Sequence, residues 1–228
     1  MREIVLDTET TGLDPAQGHR VIEIGAVELV NHLPSGRTYH VHINPERDVP
    51  AEAVSVHGLT TEFLKGKPLF ADIAEAFLEF IGDAPLVIHN AAFDVGFLNA
   101  ELGWLRRQPL LPERVIDTLQ IARQKHPMGP NSLDALCKRY GVDLSKRTKH
   151  GALIDCELLA EVYIELIGGR QVGLGFADSK PKSEIRLAVA AGRIEPRPSP
   201  LASRLSEAEK AAHEAMIAKL GDKALWKN

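Results

Sequence analysis

The sequence predicts an α/β fold in which a mixed β-sheet is flanked by helices, and two observations support this. Three segments rich in β-branched residues come first in the chain. Shorter apolar segments then alternate with stretches of helical periodicity. An initial run of strands followed by alternating strands and helices is typical of a mixed sheet with helices packed against it.

The strands are predicted where β-branched and other apolar residues are concentrated. The first three are expected at 2–7, 21–30 and 37–43, and they follow one another without an intervening helix. Two shorter apolar runs, at 85–89 and near 115–116, are expected to form the remaining strands.

The helices are predicted from apolar residues at helical spacing and from start and stop signals. Pro68 is placed in the first turn of one helix, where a missing N–H costs nothing. Gly141 and the pair Gly168–Gly169 are placed just after the ends of two others. The predicted ranges are 68–81, about 92–105, 117–125, 132–140 and about 152–167.

The composition changes after Gly169. Residues 170–204 contain four of the 14 prolines and few aromatic residues, which predicts a linker with a short helix at 184–191. Ser206 and Glu209 form a capping-box pattern, which predicts a helix that runs to about Leu220. The expected organisation is therefore a body at 1–169, a linker at 170–204 and a tail at 205–228.

Charge and cysteine content limit the possible functions. The net charge is −4, and residues 178–228 carry +3, which leaves −7 for residues 1–177. An acidic body disfavours DNA binding through a broad basic surface, but a nuclease stays possible because bound metals offset acidic residues locally. Two cysteines, no room for a signal peptide and no long apolar stretch predict a cytoplasmic protein.

Four carboxylates and one histidine in three short motifs carry the chemical information. They are Asp7 and Glu9 in LDTETTGL, Asp94 in HNAAFD, and His150 and Asp155 in HGALID. Together they could hold two divalent metals and leave one neutral base. Hard oxygen ligands select Mg²⁺ or Mn²⁺, and two such ions clamp the attacking and leaving oxygens of a phosphoryl displacement. The pattern predicts metal-assisted phosphodiester hydrolysis.

The first two motifs are ambiguous when each is taken alone. Asp7 and Glu9 are two residues apart and share one face of a strand, but solvated acids on an edge strand would look the same. Asp94 follows a strand at the start of a helix, where the helix dipole favours any aspartate. Asn90 and Phe93 beside it supply a polar group and an aromatic ring suited to gripping a nucleotide.

The third motif makes a geometric demand. Five residues along a regular helix turn through about 500°, so His150 and Asp155 cannot share a face inside one helix. Both reach one site only if His150 precedes the helix, and Gly151 favours such a break. A loop histidine is a suitable general base. Glu52 and His57 are weaker candidates, since a solvated acid and a turn residue before a glycine explain them equally well.

Three segments together resemble the exonuclease motifs of the DEDD superfamily, in its histidine-bearing (DEDDh) branch: LDTETTGL, VIHNAAFD and KRTKHGALIDCELLAEVY. The similarity continues through VIEIGAVELV, VHGLT and NSLDALCKRYGVD to the epsilon (proofreading) subunit family of bacterial DNA polymerase III. It covers about residues 2–169. The resemblance implies a ribonuclease H-like fold and 3′→5′ removal of mispaired nucleotides from primer 3′ ends by two-metal-ion hydrolysis.

The resemblance also implies roles for single residues within an exonuclease domain at 1–169. It makes His150 the base that takes a proton from the attacking water. The implied ligands of the two Mg²⁺ or Mn²⁺ ions are Asp7, Glu9, Asp94 and Asp155. The implied substrate-binding residues are Asp7, Glu9, Glu52, His57, Asn90, Phe93 and Asp155.

Two parts of the C-terminal region resemble partner-binding segments. Gln171, Leu174 and Phe176 have the spacing of short peptides that dock on the bacterial sliding clamp, although a linker with two apolar residues explains them equally well. The resemblance further implies that the tail, through Trp226, anchors the chain to the polymerase catalytic (alpha) subunit. A partner that concentrates the DNA would suit an acidic body.

Two alternatives stay open at this level. The motifs do not distinguish the sugar, so an RNA-trimming 3′→5′ exoribonuclease is the alternative with the same fold. An assembly protein with a vestigial site, which joins clamp to polymerase, is the alternative of a different class. The presence of all five catalytic positions favours an enzyme.

Overall fold

A computed structural model describes residues 1–145, 150–168 and 206–220. The chain divides into two compact units, Met1–Gly175 and Phe176–Asn228. Several predictions lie outside the described residues: the linker helix at 184–191, the clamp-binding residues Gln171, Leu174 and Phe176, and the anchoring residue Trp226.

The first unit contains a five-stranded mixed sheet in the order β3-β2-β1-β4-β5. The first three strands are antiparallel neighbours, and β4 and β5 continue the sheet in parallel with β1. The predicted mixed sheet is therefore confirmed. The strands are β1 (Arg2–Thr10), β2 (Val21–Val30), β3 (Leu33–His42), β4 (Leu86–Ile88) and β5 (Val115–Asp117).

Two strands are longer than predicted because pairing continues past the apolar residues. β1 runs on to Thr10, since Glu9 pairs with Glu23 and Thr10 with Val21. β3 begins at Leu33 rather than at residue 37. Its first residues look like a turn in the sequence, but Pro34 pairs with Leu29 of β2 and is drawn into the ladder.

Seven α-helices are described in this unit. The predicted starts and stops hold at α6, where Ser132 caps the helix and Gly141 ends it with φ 71°. Two short helices, α1 and α2, were not predicted, because they bury only one residue each and show no apolar periodicity. The helices are α1 (Ala51–His57), α2 (Thr61–Leu64), α3 (Phe70–Ile81), α4 (Ala91–Trp104), α5 (Thr118–Lys125), α6 (Leu133–Tyr140) and α7 (Ala152–Leu166).

The predicted start of α3 at Pro68 is wrong. Leu69 is still extended, and its N–H donates to the carboxylate of Asp72 at 2.9 Å. Asp72, the third residue of the helix, therefore caps the N–H of Leu69 and fixes the start of the helix at Phe70. The Pro68 carbonyl accepts instead from the backbone N–H of Asn44 at 2.9 Å.

Helices cover both faces of β1. Ile4 and Leu6 belong to a core with Phe77 of α3 and Phe97 of α4. Val5, which points to the opposite face, packs in a second core formed with α7. Each large apolar side chain buried in this way contributes about 1.5–3 kcal/mol. Asp7 and Glu9 therefore follow directly after a part of β1 that is packed on both faces.

The second unit is described only through α8 (Glu207–Leu220). Ser206 Oγ accepts from the backbone N–H of Glu209 at 3.3 Å, and Glu209 Oε2 accepts in return from the Ser206 N–H at 2.8 Å. This reciprocal pair confirms the predicted capping box. Within the three described ranges, no helix is both long and apolar enough to cross a membrane.

Candidate active site

The end of β1 projects beyond its parallel neighbour. Pairing of β1 with β4 is recorded at Ile4 and Val5, whereas pairing with β2 continues to Thr10. Asp7 and Glu9 lie on this projecting part and, two residues apart, point to the face on which α7 packs. Both are partly exposed. The strand thus presents two carboxylates where the sheet opens to solvent.

Asp94 meets the same end of β1 from the other side. It lies in the first turn of α4, as predicted, and is 3% exposed. Its Oδ1 accepts from the backbone N–H of Thr8 at 3.0 Å and from the Thr8 hydroxyl at 2.7 Å. The Asp94 carboxylate therefore accepts from a backbone N–H of β1, beyond the part of that strand that pairs with β4.

Sequence reasoning missed Thr8 as a functional residue. It lies between the two acids of LDTETTGL, and only its position beside Asp94, far away in the chain, reveals what it does. The sequence offers only its place between two candidate ligands, and the structure adds that its hydroxyl is buried. Thr8 fixes one oxygen of Asp94 and so determines where the other oxygen can act.

Asn90 shapes the turn that precedes α4. Its backbone is left-handed, with φ 65° and ψ 50°, a region in which Asn is favoured over other side chains. Its N–H donates to Oδ1 of Asp117, at 3.2 Å, and the same carboxylate caps α5. Asp117 is a second residue that sequence reasoning missed, and it holds two helix starts together.

The third motif forms as its spacing required. His150 lies before α7 and Asp155 in its first turn, with Gly151 as the N-cap residue between them. His150 Nδ1 is 3.2 Å from Asp155 Oδ2. One ligand atom each from Glu9, His150 and Asp155 lie within 4.8 Å of one another. Side chains from β1, from α7 and from the residue before α7 therefore come together in one cluster.

Gly25 allows α7 to come this close to the sheet. It pairs with Asp7 across β1 and β2, and a Cβ at this position would overlap backbone atoms of Ala152 and Leu153. The Cys156 thiol also donates to the Gly25 carbonyl, at 3.1 Å. The start of α7, which carries Asp155, therefore packs directly against the backbone of Gly25.

The cluster has the electrostatics of a cation site. Burial raises the pKa of Asp7 well above its usual range, and the nearby charges of Asp94, Asp155 and Glu9 raise it further. Burial raises the pKa of Asp94 to about 7, although the hydrogen bonds from Thr8 oppose the shift. Carboxylates that repel one another in this way are stabilised by a bound cation. The residues present therefore fit divalent metal ions with oxygen ligands.

Two neighbouring cavities surround the cluster. The first, of about 830 Å³, is lined by the five catalytic candidates together with Asn90 and Phe93. The second, of about 630 Å³, is lined by Glu52 and His57 and shares Glu9 and Phe93 with the first. His57 is not a turn residue, as its alternative explanation held, but the buried last residue of α1. Its Nδ1 accepts from the Leu59 N–H at 3.0 Å.

Together, the mixed sheet and the carboxylate–histidine cluster define a metal-dependent exonuclease of the DEDDh class. A family model described as Exonuclease matches residues 4–163. The nuclease domain of 3′hExo, a DEDDh member bound to rAMP, shares the fold, with a TM-score of 0.64, 19% identity, and coverage of 73% of this chain and 91% of that one. Exonuclease X, in complex with 5′ overhanging duplex DNA, superposes with a TM-score of 0.56 at 25% identity and covers 72% and 90% of the two chains.

More similar relatives specify the family. DNA polymerase III subunit epsilon of Rickettsia conorii is 59% identical over 181 residues, which is 78% of this chain and 79% of that protein. The subunit from Escherichia coli K12 is 45% identical over 239 residues, or 99% and 97% of the two chains. This chain belongs to the DNA polymerase III epsilon-subunit family. It is a divalent-metal-dependent 3′→5′ proofreading exonuclease, and the alternatives without this activity or with RNA as substrate are not favoured.

Proposed function

We propose that Asp7, Glu9, Asp94 and Asp155 hold two divalent cations, Mg²⁺ or Mn²⁺, and that His150 is the general base. The observation that carries this proposal is the convergence of Glu9, His150 and Asp155 within 4.8 Å, beside two carboxylates of raised pKa. The ions, when bound, supply Lewis acidity to the attacking and the leaving oxygen.

The contact between His150 and Asp155 supports Nε2 of His150 as the atom that takes the proton. With Nδ1–H donating to Asp155 Oδ2, the lone pair of His150 lies on Nε2. Nε2 takes a proton from water, and the resulting hydroxide attacks the phosphorus of the last phosphodiester. The bond to the 3′-oxygen of the preceding nucleotide breaks, and that oxygen takes a proton from solvent. The products are a nucleoside 5′-monophosphate and a strand shortened by one residue.

Asn90, Phe93, Glu52 and His57 would contact the terminal nucleotides. Phe93 lines both cavities, and its ring is supported by Phe97 at a centroid distance of 5.0 Å. A supported aromatic ring between two cavities offers a stacking surface for a base. A mispaired end is already unpaired, so its entry into this site costs less free energy.

The substrate and the assembly follow from the same family. DNA is the substrate, and DNA polymerase III is the assembly in which the chain acts. Residues 205–228 would bind the catalytic subunit through Trp226, and residues 171–176 would dock on the sliding clamp. Both contacts would keep an acidic exonuclease beside its DNA in the cytoplasm.

The activity is tested with 5′-labelled DNA that carries a mispaired 3′ end, compared with paired DNA and matched RNA in Mg²⁺. We expect the mispaired DNA to be trimmed fastest and an Asp7→Ala variant to be inactive. Preference for RNA would overturn the assignment of substrate.

The partner contacts need separate experiments on the full chain. Trp226→Ala is expected to weaken co-elution with the polymerase catalytic subunit without slowing digestion of free DNA. Gln171→Ala combined with Phe176→Ala is expected to weaken clamp binding alone. Unchanged association in either case would contradict the corresponding contact.

A further inference from the structure

A second group of metal-type ligands lies farther out on the same sheet. One ligand atom each from Glu23 of β2 and from His40 and His42 of β3 lie within 4.8 Å of one another. His40 and His42 are two residues apart and share one face of their strand. Glu23 is paired directly with His42 on one side and with Glu9 on the other. This second group therefore adjoins the catalytic cluster but is built on different strands.

The distances suit a small tetrahedral ion. His40 Nε2 is 2.6 Å and His42 Nε2 is 3.5 Å from Oε1 of Glu23. In a tetrahedral zinc site with bonds of about 2.0–2.1 Å, neighbouring ligand atoms are about 3.3 Å apart. The two observed separations lie on either side of that value. The His40–Glu23 separation would have to open by about 0.7 Å to accommodate the ion, which a rotation of the exposed His40 side chain can provide.

The ligands are also held in place before any ion binds. The Glu23 side chain is 5% exposed, whereas those of His42 and His40 are 24% and 35% exposed. The His42 ring is fixed by edge-on contacts with Phe63, at 5.1 Å, and with His40, at 4.9 Å. The group thus has a buried carboxylate at its base and an opening on the histidine side, where a water could complete the coordination.

We propose that Glu23, His40 and His42 form a third divalent-cation site, of the zinc-binding class, with an open fourth position. Two imidazoles and one carboxylate form the mixed nitrogen and oxygen set that Zn²⁺ accepts. The catalytic cluster is dominated by carboxylates, which suit Mg²⁺ and Mn²⁺. Ligand type therefore directs Zn²⁺ to Glu23, His40 and His42, and Mg²⁺ or Mn²⁺ to the catalytic cluster.

Binding exchanges a hydrogen bond for metal bonds. In the neutral form, Nε2–H of His40 donates to Glu23 at 2.6 Å, so this nitrogen must lose its proton before it can bind a metal. The imidazole does so by moving its proton to Nδ1. The ion then links the edge strand β3 to β2, and because the site exists only in the folded chain, Zn²⁺ raises the melting temperature.

The test must separate this site from the catalytic one. Equilibrium dialysis against Zn²⁺ is carried out on the full chain with Asp7→Asn and Asp155→Asn, which weaken the catalytic cluster. We expect one bound Zn²⁺ per chain. Adding His42→Gln is expected to weaken binding by at least about 100-fold, since even outer partners of metal ligands cost about 10–100-fold. The exposed His213 supplies the matched control, and His213→Gln should leave the stoichiometry unchanged.

A second measurement covers the case in which His42→Gln fails to fold. Imidazole ¹⁵N NMR spectra of the unmutated chain, in excess Mg²⁺, are recorded during a Zn²⁺ titration. We expect Nε2 of His40 and His42 to shift and His40 to change tautomer. Binding that survives His42→Gln, or spectra in which His150 responds and His40 and His42 do not, would overturn the proposal.

Discussion

Thr8 shows how much of this site depends on a residue that contributes no charge. Its N–H and hydroxyl both donate to one oxygen of Asp94, and the two donors together oppose the rise in the pKa of that carboxyl. Without the hydroxyl, Asp94 would keep only the backbone donor. Its remaining oxygen would then be less well oriented toward a cation.

Thr8→Val tests this role at nearly constant volume. We expect kcat in Mg²⁺ to fall about tenfold, and the free energy of unfolding to fall by about 1 kcal/mol because one buried hydrogen bond is lost. Urea unfolding and single-turnover digestion measure the two effects. Thr10→Val is the control, because Thr10 is in the same strand but donates to the Gly12 carbonyl. A similar loss of kcat in both variants would contradict a specific role for Thr8.

His150→Gln tests the proposed base. We expect kcat to fall by about 10²–10⁴, the usual contribution of a positioned base, while affinity for the DNA end changes little. Rapid-quench digestion and anisotropy with labelled DNA separate the two quantities. His126→Gln replaces a histidine that contacts Tyr140 instead, and it should keep its full rate. An unimpaired His150→Gln enzyme would rule out this residue as the base.

The residues that sequence reasoning could place are those constrained within one element. The positions of His150 and Asp155 on either side of a helix start follow from helix geometry alone. Thr8, Asp117 and Glu23 act through partners on other strands and helices. Register decides such partners, and the sequence of one strand does not reveal its register with another.

At the scale of elements, the approach of α7 to β2 controls where Asp155 lies. Gly25→Ala would force its Cβ against the backbone of Ala152 and Leu153, which cannot rotate away. We expect the free energy of unfolding to fall by about 1–3 kcal/mol and digestion to slow, because the helix that carries Asp155 must shift. Differential scanning calorimetry and the digestion rate report the two effects.

Gly96→Ala is the matched control in this case. A Cβ on Gly96 meets nothing within 4 Å, and the residue is exposed within α4. We expect this variant to be more stable by about 0.5–1 kcal/mol, since alanine is the better helix former, with unchanged activity. Equal losses in both variants would show that Gly25 has no special importance for α7.

Element boundaries were harder to predict than element types. Apolar periodicity located α3, but its first residue depends on the carboxylate of Asp72, which caps the N–H of Leu69. The two short helices α1 and α2 could not be found, because their local sequences bury almost nothing. Their importance is positional, since α1 carries Glu52 and His57 to the second cavity.

At the scale of the molecule, the acidic cluster makes stability depend on pH and on metal. The pKa of Asp94 is about 7 in the folded chain and near 3.8 when unfolded. Between these values the folded chain keeps a proton that the unfolded chain has lost, so the free energy of unfolding falls as pH rises from about 4 to about 7. Asp7 contributes in the same direction.

Asp94→Asn should therefore stabilise the metal-free protein while abolishing activity. We expect its melting temperature in EDTA at pH 8 to exceed that of the parent by about 2–4 °C for each kcal/mol relieved, and the gap to shrink at pH 5. Mg²⁺ should stabilise the parent more at pH 8 than at pH 5. Asp83→Asn, at an exposed turn, is the control. A parent that is more stable than Asp94→Asn in EDTA at pH 8 would contradict this account.

The position of Asp155 in α7 affects the point during synthesis at which the enzyme can become active. Asp7 and Glu9 lie on the first strand of the unit, whereas α7 is its last described helix. Domains fold as units, so a polypeptide whose synthesis has not reached α7 has Asp7 and Glu9 in place but lacks Asp155 and the helix that carries it. We therefore expect nuclease activity only from chains that include α7.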